Sequence, residues 1–250
     1  MKVFIVYAHP DPTSFNGAMF RVAQETLREA GHEVRVSDLH EMGFNPVPGF
    51  HDVTAPVGDE IYQIQVEQKN ASENGTYAED VVAEQEKVEW ADLVIMQYPI
   101  WWFNVPAIMK GWIDRVLTFG WAYGRNERFD SGRLRGKRAL VSATTGSPAV
   151  RFSEGSLIAP IEQIIYPITV GTLQYVGMDL YEPCVTFGVS RATDEERQAI
   201  LDRYRDRLRG IEQETPLPFH SISVFPDPLN ETLAEPEGIQ GAPSEWRKTA

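Results

Sequence analysis

A loop rich in helix-capping and hydrogen-bonding side chains follows the first apolar run of the chain, residues 2–8. It contains His9, Thr13, Ser14, Phe15 and Asn16 and leads directly into a helical pattern. Hydroxyl and amide groups at a helix start, with the unpaired backbone N–H groups and the positive end of the helix dipole, make a good seat for phosphate. An ordinary polar helix cap explains the same residues, so this loop alone leaves both interpretations open.

Three consecutive bulky aromatic residues, Trp101, Trp102 and Phe103, lie in a second loop, after the apolar run 92–98. Loops generally run over the surface, where such rings are difficult to bury together. With Pro99 and Ile100 beside them, they would wall a flat ligand. Hydrophobic packing or a subunit contact is the alternative.

Thr144, Thr145 and Gly146 follow the next apolar run, residues 137–143. Such a turn can present hydroxyls and backbone N–H groups to the polar edge of a heteroaromatic ring, with no side chain at the glycine to block its approach. A plain turn is the alternative for this segment taken alone.

Other catalytic patterns are missing from the sequence. There is no Gly-x-Gly-x-x-Gly, and residues 132–137 are one residue short of Walker A spacing, which disfavours nucleotide hydrolysis. No Gly-x-Ser-x-Gly elbow supplies a serine nucleophile. The five histidines show no paired metal-ligand spacing, so we predict no metal site. The only cysteine, Cys184, falls in a predicted buried strand and is expected to be core.

The composition is typical of a soluble globular protein. The 250 residues carry a formal net charge of −13, so the chain lacks the basic footprint of a nucleic-acid or acidic-membrane binder. No apolar run approaches the roughly 20 residues needed to cross a bilayer. A single cysteine forms no internal disulfide and no secretion signal is recognised at the start, so we expect a cytoplasmic location.

Strand and helix patterns alternate along the chain. Near-continuous apolar runs are typical of strands buried on both faces of a parallel sheet, and apolar residues three and four apart indicate helices. A long stretch, about 41–76, has weak periodicity and predicts a surface excursion. The predicted strands are 2–8, 32–39, 92–98, 137–143 and 180–189, and the helices are 19–30, 77–90, 105–117, 157–176 and 193–211, the last with a capping box at Thr193 and Glu196.

This order predicts a five-stranded, doubly wound parallel α/β sheet, which binds ligands at the carboxyl ends of its strands. The three loops leave successive strands at one edge, so we expect them to form one site. Six of the 17 prolines fall within residues 216–243. We therefore predict one domain over residues 1–214 and an irregular C-terminal extension over 215–250, packed on the domain or on a partner subunit.

Several stretches together resemble the flavodoxin-like NAD(P)H:quinone oxidoreductases of the DT-diaphorase type. They are residues 13–16, 91–95, 102–112 and 144–146, and residues 214–219 are similar to that family's C-terminal extension. The resemblance covers nearly all of the chain. It is specific because the stretches occur together, whereas each is weak alone.

The resemblance implies a homodimer with one FAD per site, FMN being the less expected flavin. NADH or NADPH would give hydride to the flavin, leave, and be replaced by a quinone, in a ping-pong mechanism. A backbone N–H near Gly146 would stabilise the negative charge on the reduced flavin.

Residues are assigned by matching positions. The cofactor would be held by His9, Thr13, Ser14, Phe15, Asn16, Gln63, Pro99, Ile100, Trp101, Trp102, Phe103, Thr144, Thr145, Gly146 and Arg197. The substrate pocket would be bordered by Trp102, Phe103, Phe152 and Ile158, with Tyr123 and Tyr175 at positions that the family supplies from the other subunit.

The chain departs from the family pattern beside the Thr-Thr-Gly turn. The family places a tyrosine and a histidine there as a proton relay, and ungapped matching puts Phe152 and Ile158 at these positions, where neither side chain can donate a proton. Ser147 replaces a glycine and Arg125 a pocket tyrosine. We expect flavin binding to survive, with protons coming from water or the substrate's own hydroxyl.

Two other functions fit the same residues. Nitroaromatic or azo compounds would enter the same pocket as quinones. A non-catalytic flavoprotein subunit of a membrane ion-efflux system would bind flavin without NAD(P)H turnover.

Overall fold

The computed structural model describes residues 1–218, which form a parallel sheet in the order β2-β1-β3-β4-β5, with β6 also paired to β4. The doubly wound α/β architecture predicted from the sequence is confirmed. The strands are β1 (Lys2–Tyr7), β2 (Glu33–Asp38), β3 (Leu93–Pro99), β4 (Arg138–Thr144), β5 (Asp179–Leu180) and β6 (Cys184–Thr186). The helices are α1 (Phe15–Glu29), α2 (Ile64–Asn74), α3 (Glu79–Trp90), α4 (Ala107–Val116), α5 (Ile161–Ile168) and α6 (Asp194–Arg209).

Alternate residues of the central strands fill two separate cores, as the two-residue period of a strand requires. Phe4 and Val6 of β1 pack in one core with Trp112 of α4. Val3 and Ile5 pack in the other, against α1 and α6. Every residue of β3 is buried, which is why this segment reads as a continuous apolar run.

The first crossover is fixed by its helix caps. The hydroxyl oxygen of Ser14 accepts a hydrogen bond from the Gly17 N–H at 3.1 Å, which makes Ser14 the N-cap of α1. The helix ends as predicted before Gly31, which has a φ of +85° that suits glycine. At the last helix, the predicted capping box at Thr193 and Glu196 is present.

The predicted fifth strand is wrong in detail. It is two short segments, β5 and β6, rather than one strand over 180–189. Pro183 has no N–H to donate to the ladder, so pairing breaks ahead of Cys184. Cys184 lies in β6 but is half-buried rather than fully in the core, and desolvation raises the pKa of its thiol.

The predicted helix over 157–176 is shorter and of mixed type. It begins at Ile161, directly after Pro160, and runs only to Ile168 as an α-helix. A π-helix, Thr169–Gln174, continues it, with the Tyr175 N–H donating to the Val170 carbonyl at 3.1 Å. Pro167 lacks an N–H, which weakens the regular hydrogen-bond ladder in this segment.

The excursion over 41–76 contains a helix, α2, that its weak periodicity did not predict. A buried ion pair anchors the loop before this helix: Arg115 Nε of α4 donates to Asp52 Oδ1 at 2.7 Å. Arg115 also donates to the Asn45 carbonyl at 2.9 Å. The long loop is therefore held against α4 at two points.

Part of the predicted C-terminal extension lies outside the described residues, from residue 219 onward. Within the described part, the Leu217 N–H donates to the Leu180 carbonyl at 2.7 Å, so the chain follows β5 as it leaves the domain. In residues 1–218, none of the helices has the length and hydropathy of a membrane span.

Candidate active site at the carboxyl ends of β1, β3 and β4

The loop after β1 is built around Asp11. The Asp11 carboxylate accepts from both the backbone N–H and the hydroxyl of Thr13, at 2.8 and 2.7 Å. The Asp11 carbonyl accepts the Ser14 hydroxyl at 2.7 Å, and His9 Nδ1 accepts the Asp11 N–H at 3.0 Å. The hydrogen bonds from Thr13 lower the pKa of Asp11, so this carboxylate keeps its charge, and with it the loop's shape, at neutral pH.

Asn16 joins this loop to the one after β4. It is buried, and its side-chain amide donates to Thr144 Oγ1 at 2.6 Å. Its backbone carbonyl accepts from the Gln97 side chain of β3 at 2.8 Å. These contacts give Asn16 a positioning role between the two loops, and its predicted contact with a cofactor stays a prediction.

Trp102 and Phe103 form the tip of a strained turn in the second loop. Trp101 and Asn104 exchange backbone hydrogen bonds at 3.0 and 3.1 Å, and the two residues between them have φ of +51° and +59°. Positive φ at both central residues defines a type I′ turn, which favours asparagine and glycine and strains large side chains. The Trp102 side chain is 95% exposed, and those of Trp101 and Phe103 are about half exposed.

The strained backbone marks this turn as a candidate functional position. Burial of Trp102 does not favour this turn, since its ring is almost wholly in solvent, whereas Phe103 is about half exposed. Residues held in disfavoured backbone regions concentrate at ligand sites. An exposed indole on a fixed turn offers a flat apolar surface, and the predicted contact of this loop with a flat ligand stays a prediction.

The third loop presents a small, open turn. Thr144 and Thr145 are buried, and Gly146 is exposed. The Thr145 hydroxyl accepts the Ser147 N–H at 3.2 Å, and the Gly146 carbonyl accepts the Ser190 hydroxyl at 3.2 Å. A Cβ added at Gly146 would lie 3.2 Å from that hydroxyl oxygen, so this position is already tightly bounded on one side.

Backbone hydrogen bonds hold the three loops together, as predicted from their order in the sheet. The Ala8 N–H donates to the Gln97 carbonyl at 3.0 Å, and the Ile100 N–H donates to the Thr144 carbonyl at 2.8 Å. The rings of His9 and Trp101 lie 5.9 Å apart. The site is therefore a rigid edge of the sheet rather than a set of independent loops.

Arg197 lies beside the third loop, and one end of its guanidinium pairs with the exposed Asp194 carboxylate at 3.4 Å. Its guanidinium donates to the Val189 carbonyl at 3.3 Å, and the Val189 N–H donates to the Thr145 carbonyl. Arg197 Nε is buried and has no hydrogen-bond partner within residues 1–218. A buried, unpaired guanidinium N–H is an unmet demand for an acceptor such as a phosphate oxygen.

Gln63 lies at the start of α2, and it shares no hydrogen bond with the three loops in the described residues 1–218. It is exposed and forms the N-cap of α2, where its carbonyl accepts from the Glu67 N–H at 3.0 Å. The predicted contact of Gln63 with the cofactor stays a prediction.

Tyr123 and Tyr175 belong to an aromatic cluster in a different part of the domain. Their ring centroids lie 5.5 Å apart, and Tyr175 also contacts Phe129 at 5.4 Å. Both tyrosines line a cavity of about 310 Å³ whose other walls come from α2, α4 and the π-helix. Desolvation raises the pKa of Tyr123, which keeps its phenol protonated at neutral pH. None of the lining residues of this cavity comes from the three loops.

Phe152 and Ile158 occupy the segment after the third loop. Phe152 is buried, and its ring centroid lies 5.5 Å from that of Phe187. Ile158 is half-buried, and its carbonyl accepts the Ser156 hydroxyl. Neither side chain holds a proton to transfer.

Buried tyrosines near the site stay protonated at neutral pH and are weaker acids than an ordinary phenol. Desolvation raises the pKa of Tyr7 to about 12 and raises the pKa of Tyr98 further from its ordinary value. No group of three or more metal-ligating side chains occurs in residues 1–218. The site can bind and orient flat, anionic ligands, and redox chemistry there requires a bound group to supply it.

The residues fit a flavin with a phosphate-bearing tail. The exposed Trp102 ring offers a stacking surface, and the glycine turn at Gly146 admits a ring edge. The start of α1 behind Ser14 and the unpaired Arg197 Nε offer donors to phosphate.

Comparison with known proteins agrees with this geometry. Residues 1–209 match the model of a family described as having a flavodoxin-like fold. The chain is 41% identical to the mouse ribosyldihydronicotinamide dehydrogenase [quinone] over 217 residues, which are 86% of this chain and 94% of that protein. It is 39% identical to the rat NAD(P)H dehydrogenase [quinone] 1 over 225 residues, 90% of this chain and 82% of that protein.

Two solved structures also resemble this chain in sequence and fold. A chain from Klebsiella pneumoniae is 39% identical and has a TM-score of 0.85, with 89% of each chain covered. An NAD(P)H:quinone oxidoreductase from Methanothermobacter marburgensis is 31% identical, with a TM-score of 0.66 and coverage of 85% of this chain and 97% of that one.

Proposed function

Because the chain belongs to the family of flavodoxin-like fold matched over residues 1–209, we propose that it is an FAD-dependent NAD(P)H:quinone oxidoreductase with a ping-pong mechanism. One observation carries the proposal: three loops at adjacent strand ends are locked together around an exposed, strained tryptophan turn. Relatives about 40% identical to this chain are named as quinone dehydrogenases, which supports quinone reduction.

The flavin supplies two-electron transfer between a nicotinamide donor and a quinone when it is bound. In this proposal the start of α1, with Thr13 and Ser14, holds the phosphates, and Arg197 contributes a charge-assisted hydrogen bond. The aromatic turn and the segment Thr144–Gly146 orient the ring system. Asn16 keeps these two sides in register through Thr144.

Proton supply distinguishes this chain from the pattern expected for its family. Phe152 and Ile158 cannot deliver a proton, and Tyr7 and Tyr98 hold theirs at neutral pH. We propose that protons come from water or from the substrate's own hydroxyl. Ile158→His tests whether this position has a role in proton delivery. A changed pH dependence of flavin re-oxidation would show that the position can control proton delivery, and no change would argue against any such role.

A homodimer would complete the pocket. Tyr123 and Tyr175 share a cavity that no residue of the three loops lines, so within one chain they do not close the site. We propose that they face the flavin site of a second copy. Sedimentation velocity should give twice the monomer mass, and a monomer that turns over at full rate would contradict this arrangement. We also propose that the protein acts in the cytoplasm.

The decisive experiment is to release the prosthetic group from the purified protein and identify it by mass. Bleaching of the flavin by NADH or NADPH, then recovery on adding menadione, is the expected result and also shows which donor is used. Flavin that neither nucleotide reduces would indicate a non-catalytic flavoprotein subunit instead. Steady-state rates on azo and nitroaromatic acceptors beside menadione would determine the preferred acceptor class.

A further inference from the structure

A second cavity, of about 410 Å³, lies on the other side of the π-helix from the Tyr123 and Tyr175 cavity. Its apolar walls come from α5 and the π-helix on one side and from the edge of the sheet on the other, chiefly Ile165, Val170, Val185, Phe187 and Leu217. None of its lining residues belongs to the three loops of the candidate active site. Its volume lies within the range of small-molecule sites, roughly 300–1,000 Å³.

The wall formed by residues 217–218 is fixed by two hydrogen bonds. The Leu217 N–H donates to the Leu180 carbonyl at 2.7 Å. The Gln174 side chain donates to the Pro218 carbonyl at 3.2 Å. These two hydrogen bonds therefore hold residues 217 and 218 in place as part of the cavity wall.

Two carboxylates, Glu162 and Glu182, line this cavity. Both residues are exposed, and neither side chain makes a hydrogen bond or ion pair within residues 1–218. Arg207 donates to the Glu182 carbonyl, but its charge is matched by the Glu214 carboxylate, to which it donates at 2.8 and 2.9 Å. The charged residues in the lining are therefore both negative, and they stand beside mostly apolar residues.

We infer that this cavity is a binding site for a small apolar molecule that carries a protonated amine. The apolar body would fill the space between α5 and the sheet edge, and the ammonium group would lie between Glu162 and Glu182. The phenol of Tyr166, which also lines the cavity, offers one further hydrogen-bond partner. Charge complementarity favours an amine over a carboxylate of the same shape.

The site shares a wall with the cavity of the two tyrosines. Thr169, Val170 and Gln174 of the π-helix line the amine site, while Gly171 and Thr172 line the other cavity beside Tyr175. π-Helices are rare and often mark functional positions. An occupant of the amine site would thus contact the segment that positions Tyr175, without entering the candidate active site.

Isothermal titration of the flavin-loaded full-length protein with 1-adamantylmethylamine tests the inference, because this rounded molecule is a poor mimic of a flat acceptor. We expect saturable binding of one molecule per chain, tighter than binding of 1-adamantylmethanol and of 1-adamantanecarboxylate. The double variant Glu162→Gln/Glu182→Gln should weaken amine binding about fivefold and leave alcohol binding unchanged. The matched control Glu86→Gln/Glu154→Gln changes the net charge equally, at exposed positions that do not line the cavity, and should have no effect.

Filling the cavity gives an independent test. Val170→Phe should abolish binding of both the amine and the alcohol, whereas Val150→Phe, at an exposed position outside the cavity, should not. If Val170→Phe fails to fold, the glutamine variants still decide the question. The inference is overturned if no saturable binding occurs, if the carboxylate binds as well as the amine, or if the Glu162→Gln/Glu182→Gln variant binds the amine normally.

Steady-state kinetics separate this site from the proposed active site. The amine should leave acceptor binding possible, so any inhibition should be noncompetitive or mixed with respect to menadione. Pure competition with menadione would place the amine in the active site and overturn the inference. Calorimetric binding does not depend on turnover, so failure of the proposed function and failure of this inference give different results.

Discussion

Trp102 holds a backbone conformation that its side chain disfavours, and replacing it should separate stability from function. A left-handed residue other than glycine costs roughly 1–2 kcal/mol, and asparagine tolerates this region better than most residues. Because the indole is 95% exposed, its removal loses almost no burial. We therefore expect Trp102→Asn to be more stable than Trp102→Ala by about 1 kcal/mol. In a chain of this size, that difference raises the melting temperature by about 2–4 °C.

The same change should weaken ligand binding. A flat ring lying on one face of the indole would cover on the order of 100 Å² of apolar surface, which is worth about 2 kcal/mol after imperfect burial is allowed for. That corresponds to about a 30-fold rise in the dissociation constant of the flavin or in the KM of the acceptor. Trp102→Asn and Trp102→Ala should lose this equally, since both lack the ring.

Differential scanning calorimetry and steady-state kinetics on these two variants check the two arguments separately. Equal melting temperatures for the asparagine and alanine variants would show that the turn at φ +51° stores no strain. Unchanged flavin affinity together with unchanged acceptor KM in both variants would show that the exposed ring is not part of the site. Either result would remove the main physical reason for placing the ligand at this turn.

Three further predictions concern the scaffold of the site. Asn16→Ala should lower the free energy of unfolding by about 1–3 kcal/mol, measured by urea denaturation, because the Thr144 hydroxyl loses a buried partner. Arg115→Met should lower it by about 3–5 kcal/mol, and adding Asp52→Asn should recover part of the loss, because a buried carboxylate without its cation is the main cost. Desolvation, followed by the nearby N-terminal ammonium, lowers the pKa of His32. Just below the ordinary histidine pKa of about 6.5, the unfolded chain then binds more protons than the folded chain, so the free energy of unfolding should fall as the pH drops through that pKa. Thermal melts at several pH values should show a weaker pH dependence of stability for His32→Gln.

The sheet and the meeting of its loops could be predicted because the signals are local. The continuous apolar runs of β1 and β3 predict buried parallel strands, and the parallel order then brings the three loops to one edge. The break between β5 and β6 was harder to foresee. A single proline within an apolar run, Pro183, is compatible with an edge strand that is either continuous or interrupted.

The helix α2 and the strain at the aromatic turn could not be predicted from local patterns. Helix α2 is stabilised by tertiary contacts, for example the Gln68 side chain donating to the Asp114 carbonyl at 3.0 Å, rather than by an apolar stripe of its own. The sequence of the turn gives no sign of positive φ, since it has neither asparagine nor glycine at its centre. Only the surrounding strands and their hydrogen bonds impose that geometry.

The strain and the rigidity of the site depend on each other. A turn that costs free energy at Trp102 and Phe103 persists only where its ends are fixed, and here they are fixed by the paired backbone of Trp101 and Asn104 and by the bond from Ile100 to Thr144. Asn16 fixes Thr144 in turn. A ligand bound at this edge would therefore meet a surface already in its final shape, and little of its binding energy would be spent on ordering the loops. Loosening any one of these links should weaken ligand binding by more than the contacts that the changed residue itself makes with the ligand.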